Sequence, residues 1–95
     1  MASTRQRYES DIAIHPGEML AEEIEARGIT QKSLAEVMGR PPQLVNEIVH
    51  GKKAITAETA LQLERALDIP AYLWLAKQSR YDLQVAREAQ RRKAH

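Results

Sequence analysis

The chain has 95 residues, enough for one small domain and one core, with no room for a second. It contains no cysteine, which excludes disulfides and thiolate metal sites and fits a reducing, cytoplasmic compartment. A formal net charge of +1 does not by itself point to a polyanionic partner, so any such role must rest on where the cations lie.

Residues 1–14 read as an N-terminal arm. Arg5, Arg7 and Glu9 break any apolar run that would make a secretion leader, and Ile12 and Ile14 are expected to anchor the arm's end. Residues 15–69 carry four short helical patterns. The first spans 16–27: Pro16 suits the opening position, Glu18 complements the helix dipole, Leu20 and Ile24 share a face, and Gly28 stops it. His15 stands where its cap belongs. The second spans 31–38, capped by Thr30, with Leu34, Ala35, Val37 and Met38 expected inside and Gly39 as the stop. The third spans 42–50, with Leu44, Val45, Ile48 and Val49 facing inward and Gly51 ending it. A basic loop with Lys52 and Lys53 follows. The fourth, 57–67, is capped by Thr56 and turns Ala60, Leu63 and Leu67 to one side.

Residues 70–95 read as a long C-terminal helix ending near residue 90, then a frayed basic tail. A helix of that length in so small a domain needs a partner surface. Tyr72, Leu73, Leu75 and Leu83 are the candidate dimer contacts, and Trp74 and Tyr81 are expected in the core or at that interface. The longest apolar stretch, 69–76, is too short to cross a bilayer, so no membrane association is expected.

The most informative segment is 31–48. Two short helices joined by a glycine turn must cross steeply, which needs a small residue at the crossing and a positive φ in the turn. Ala35 and Gly39 supply these, and Val45 and Ile48 lock the second helix against the first. At about 100° per residue, Gln43, Asn46, Glu47 and His50 fall on the outer side of the third helix. Gln and Asn can bond the N6–N7 edge of adenine, Glu47 can accept from a cytosine amino group, and Leu44 at the margin can meet a thymine methyl. Gln31, Lys32, Arg40, Lys52 and Lys53 flank this face as candidate phosphate contacts. His50 beside Gly51 reads as a helix cap. The three histidines are scattered, so no metal site or other cofactor is expected, and no nucleophile, base and orienting group can be assembled into an enzyme. Glu22, Glu23 and Glu25 read as solvated surface or as a face for a basic protein partner.

The stretch 30–70 resembles the Xre/Cro-like (lambda-repressor-like) helix-turn-helix proteins, an all-α fold of five helices, here with an extended C-terminal helix. Within that group His15-Pro16-Gly17-Glu18, Gly51-Lys52-Lys53-Ala54-Ile55-Thr56 and Ala66-Leu67-Asp68-Ile69-Pro70 are similar to HigA-type antitoxins, as are Tyr72-Leu73-Trp74-Leu75 and Tyr81-Asp82-Leu83. The resemblance covers about residues 12–85. It implies a bacterial homodimer that binds a palindromic operator, represses its own operon and neutralises a HigB-type mRNA-cleaving ribonuclease. One departure stands out. Pro41 and Pro42 open the third helix where the family usually has serine or a similar residue, which removes two backbone donors from a phosphate-facing turn. Two other readings share the fold: an Xre-family transcriptional regulator without a toxin, and a protein-interaction module that no longer binds DNA.

Overall fold

The computed structural model describes residues 13–94. Most of the expected arm, Ile12 included, lies outside the described residues. Ile14, expected to anchor it, is 54% exposed and contributes only to the wall of a surface cleft.

Regular structure among the described residues is helical throughout: α1 (Pro16–Arg27), α2 (Gln31–Met38), α3 (Pro42–Val49), α4 (Ala57–Leu67) and α5 (Ala71–Ala94). Local chemistry sets each boundary. His15 Nδ1 accepts the Gly17 N–H at 2.9 Å to open α1, and Gly28 closes it at φ 66°. Thr30 and Ser33 form a reciprocal capping box on α2: the Thr30 hydroxyl accepts the Ser33 N–H at 2.9 Å, and Ser33 Oγ accepts the Thr30 N–H at 3.1 Å. Removing one half of that box by Thr30→Ala should lower stability by about 1 kcal/mol. Chemical denaturation would check this, and an unchanged midpoint would show the cap to be dispensable. Thr56 accepts the Thr59 N–H to start α4, which ends at Asp68 in the left-handed region, φ 59°.

The helices close around one core. α2 and α3 cross each other, α1 lies against α3, α4 against α2, and α5 packs on α4 and α1. Leu20, Val45, Ile48, Leu63 and Trp74 are fully buried, so α5 contributes to the same core as the four helices before it. Two polar ties reach across this packing. Arg27 at the end of α1 donates to the Leu67 carbonyl at 2.8 Å, satisfying the C-terminus of α4. The buried Gln78 on α5 accepts the Ile55 N–H at 2.8 Å and donates to Asp82, tying the loop after α3 to the long helix.

Two expectations need correction. Val37 is 58% exposed: Leu34, Ala35 and Met38 fill the inner side of α2, and Val37 falls outside their arc. The long helix runs to Ala94, past residue 90 where it is expected to end. Glu88 bonds Arg91 and lies 3.9 Å from Arg92, and cations in the last turn complement the helix dipole.

Candidate nucleic-acid interface

The α2–α3 crossing is built as its small and apolar residues require. Ala35, Val45 and Ile48 are fully buried at the contact. Gly39 caps α2 at φ 74°, and the Arg40 N–H returns to the Ala35 carbonyl at 3.0 Å, so the chain reverses within two residues. Burial of Leu44, Val45 and Ile48 turns the other side of α3 outward. Leu44 is 8% exposed and belongs to the core, as its place in the inward arc predicts, which leaves little of its side chain for the expected contact with a thymine methyl.

Gln43 and Asn46 are exposed on that outer side, and Glu47 is half-buried. Asn46 Nδ2 donates to Gln31 Oε1 at 3.2 Å, joining α3 to the first residue of α2. Gln43 Nε2 donates to Glu47 Oε2 at 3.3 Å, and Lys53 Nζ stands 3.6 Å from Glu47 Oε1. The carboxylate on this face therefore has a cation beside it. Lys32 and Lys52 are exposed near the two ends of the face, and His50 caps α3 with its ring Nδ1 2.8 Å from the Asn46 carbonyl oxygen. Arg40 points elsewhere: its guanidinium donates to Gln62 Oε1 at 2.9 Å and lies 4.0 Å from Glu58, so α4 engages it. Pro41 occupies the N-cap of α3 and Pro42 the first turn, with no side-chain cap.

The placement of α3 depends on the start of α1 in a way sequence reasoning missed. A Cβ built on Gly17 would lie 1.8 Å from the Ile48 carbonyl oxygen, so the first turn of α1 abuts the backbone of α3. His15, which sequence reading treated only as a cap, is 9% exposed, and its ring meets Tyr81 of α5 edge to face at 4.8 Å. The two residues between His15 and Glu18 carry the only sequence signal, a proline and a glycine inside a helix start.

Of the four candidate dimer residues, Tyr72 is 75% exposed, Leu83 51% and Leu73 36%, whereas Leu75 is half-buried against the core. At about 100° per residue, Tyr72, Ala76 and Leu83 share the side of α5 opposite the buried Trp74. Among the described residues no three histidines or carboxylates converge on a point suited to a metal, and no helix is long and apolar enough to cross a membrane.

The helix-turn-helix family profile matches residues 20–74, from the middle of α1 into α5. The chain is 43% identical over 77 residues to virulence-associated protein I of Dichelobacter nodosus, covering 80% of this chain and 71% of that protein. It is 41% identical over 68 residues to antitoxin HigA-1 of Vibrio cholerae, covering 70% and 64% of the two chains. The solved structure of Pseudomonas aeruginosa antitoxin HigA with the higBA promoter superposes with a TM-score of 0.81 at 33% identity, covering 88% of this chain and 92% of that one. A fold of five helices with an α2–α3 pair of this geometry defines an Xre-like helix-turn-helix protein. The chain belongs to that family and, within it, to the HigA-type antitoxins.

Proposed function

We propose that this chain is the antitoxin of a toxin–antitoxin pair, which binds palindromic operator DNA as a homodimer, represses its own operon and neutralises a HigB-type ribonuclease. The observation that carries the DNA reading is the outer face of α3. Gln43 and Asn46 stand exposed there, Asn46 is braced by Gln31, and Lys32, Lys52 and Lys53 lie around the rim. The same fold in the Pseudomonas aeruginosa antitoxin was solved with promoter DNA.

In this reading α3 enters the major groove. Gln43 and Asn46 bond adenine edges, and Glu47, its charge moderated by Lys53, accepts from cytosine. Gln31, Lys32, Lys52 and Lys53 take phosphates, together with the free N–H groups at the start of α2. Arg40 reaches a phosphate only by leaving Gln62, and the Pro41–Pro42 turn offers no backbone donor. Binding to the protein's own upstream DNA, measured by fluorescence anisotropy across a salt series, tests the reading. Tight binding to that DNA alone, weakening steeply with salt, is the expected result. Weak binding indifferent to sequence would favour the protein-interaction reading. Toxin neutralisation is tested by co-expression with a HigB-type ribonuclease: rescue of growth supports it, and continued toxicity favours a regulator without a toxin.

The dimer places two copies of α3 about 34 Å apart, one turn of DNA. Tyr72, Leu73 and Leu83 on the exposed side of α5 are its proposed contacts. Leu75 is a poorer probe, because a charge there also disturbs the core. Tyr72→Glu/Leu83→Glu should give monomers by analytical ultracentrifugation with weakened operator binding. A double variant that stays dimeric removes α5 from the interface.

A further inference from the structure

The first turn of α1 does more than begin a helix. His15 accepts the Gly17 N–H through Nδ1, so the neutral ring carries its proton on Nε2, and the Lys53 backbone lies within hydrogen-bonding reach of the ring. Gly51 brings its backbone against the same ring: a Cβ there would lie 3.7 Å from the His15 Cγ. Tyr81 of α5 meets the ring edge to face. One imidazole thus touches the start of α1, the loop that carries Lys52 and Lys53, and the long helix. Gly17 beside it abuts the Ile48 carbonyl at the end of α3.

We propose that His15 is a positioning residue for DNA binding, whose neutral ring sets the end of α3 and the Lys52–Lys53 loop, so that protonating it weakens operator affinity. This rests on the DNA-binding reading above. Protonation puts a proton on Nδ1, where the Gly17 N–H now donates, and the two hydrogens cannot share that space. The ring must then leave the α1 turn, and the loop packed on it shifts.

Charged groups from each neighbouring element bear on this titration. Burial disfavours the cation and is the largest influence, lowering the His15 pKa from its ordinary 6.5. Asp82 on α5, Glu18 on α1 and the Lys53 backbone act in the opposite sense. Glu22 on α1 and Lys77 and Arg80 on α5 line the cleft beside the ring. Because the folded state binds this proton less readily than the unfolded chain, the arrangement is fully stable above about pH 6.5 and is lost as pH falls below it.

The test compares wild type with His15→Asn and His15→Ser, both able to cap α1 but not to titrate in this range. Affinity for the protein's own upstream DNA is measured between about pH 5 and 8, at fixed salt. His50 is present in all three proteins, so its contribution cancels in the comparison. The ratio of wild-type to variant affinity should hold steady above neutrality and fall roughly tenfold towards pH 5. The free wild type provides a second readout by NMR, in which the Gly17, Gly51 and Lys53 amides should titrate together with the His15 ring. If the variants keep the wild-type pH profile, or those amides ignore the ring, the proposal is overturned while DNA binding stands. If wild type shows no sequence-specific binding even at neutral pH, the DNA-binding reading fails and this proposal fails with it.

Discussion

Replacing Gln43 and Asn46 together by alanine is expected to remove discrimination between operator and unrelated DNA while leaving the protein folded. Each bidentate bond to a base edge contributes about 1–3 kcal/mol of discrimination, so losing two should weaken operator binding on the order of 100-fold or more. Both side chains are exposed on α3 and neither supports the core, so thermal stability should change by no more than about 0.5 kcal/mol. The two losses need not add. Asn46 holds the Gln31 amide in place and Gln43 bonds Glu47, so each deletion also releases a neighbour. Residual binding should be the phosphate term alone, equal on all sequences and as salt-sensitive as before, since no cation has been removed. A double variant that still prefers its operator would mean that the sequence is read elsewhere or through DNA shape. Lys52→Ala/Lys53→Ala makes the complementary case. It should weaken binding to every sequence and flatten the salt dependence while leaving the preference intact.

What could be read from the sequence was local. Thr30, Gly39 and Thr56 announce helix boundaries because a hydroxyl cap or a positive φ is a property of one residue and its nearest neighbours, and all three stand where expected. The helix-turn-helix was legible for a related reason: Ala35, Gly39, Val45 and Ile48 answer steric demands that lie within one short stretch. The misreadings fall where two faces compete. Val37 sits at the margin of an apolar arc, and periodicity cannot say which way a marginal residue turns: the structure turns it out, while Leu44, at the margin of the α3 arc, faces inward as its arc predicts. Arg40 lies in a turn beside the reading face, but Gln62 and Glu58, both on the next helix but one in the chain, draw it to α4. The roles of His15 and Gly17 were hidden for the same reason. Their partners are Ile48, Gly51, Lys53 and Tyr81, and only the fold brings these together.

Gly17→Ala is the sharpest test of that assembly, because local and tertiary preferences oppose each other there. Gly17 lies in the first turn of α1 with ordinary helical geometry, so alanine should favour the helix itself by up to about 1 kcal/mol. Its Cβ, however, would fall 1.8 Å from a backbone oxygen of α3, and no side-chain rotation relieves a contact between two backbones. The start of α1 must move away from the end of α3, opening the contact that covers Ile48 and displacing His15 with it. We expect a net loss of about 3 kcal/mol, at the upper end for overpacked sites, and hence a melting temperature lower by roughly 12–24 °C. Gly28→Ala is the matched control. Its φ of 66° is strained for alanine but nothing lies near its Cβ, so its cost should stay near 1 kcal/mol and operator binding should survive. Operator affinity of Gly17→Ala, measured well below its melting temperature, then separates stability from placement. Weak binding by a folded variant would show that α1 sets the docking angle of α3. A variant as stable as wild type and binding as tightly would mean that the two helices do not approach so closely in solution, and the positioning role of His15 would lose its footing as well.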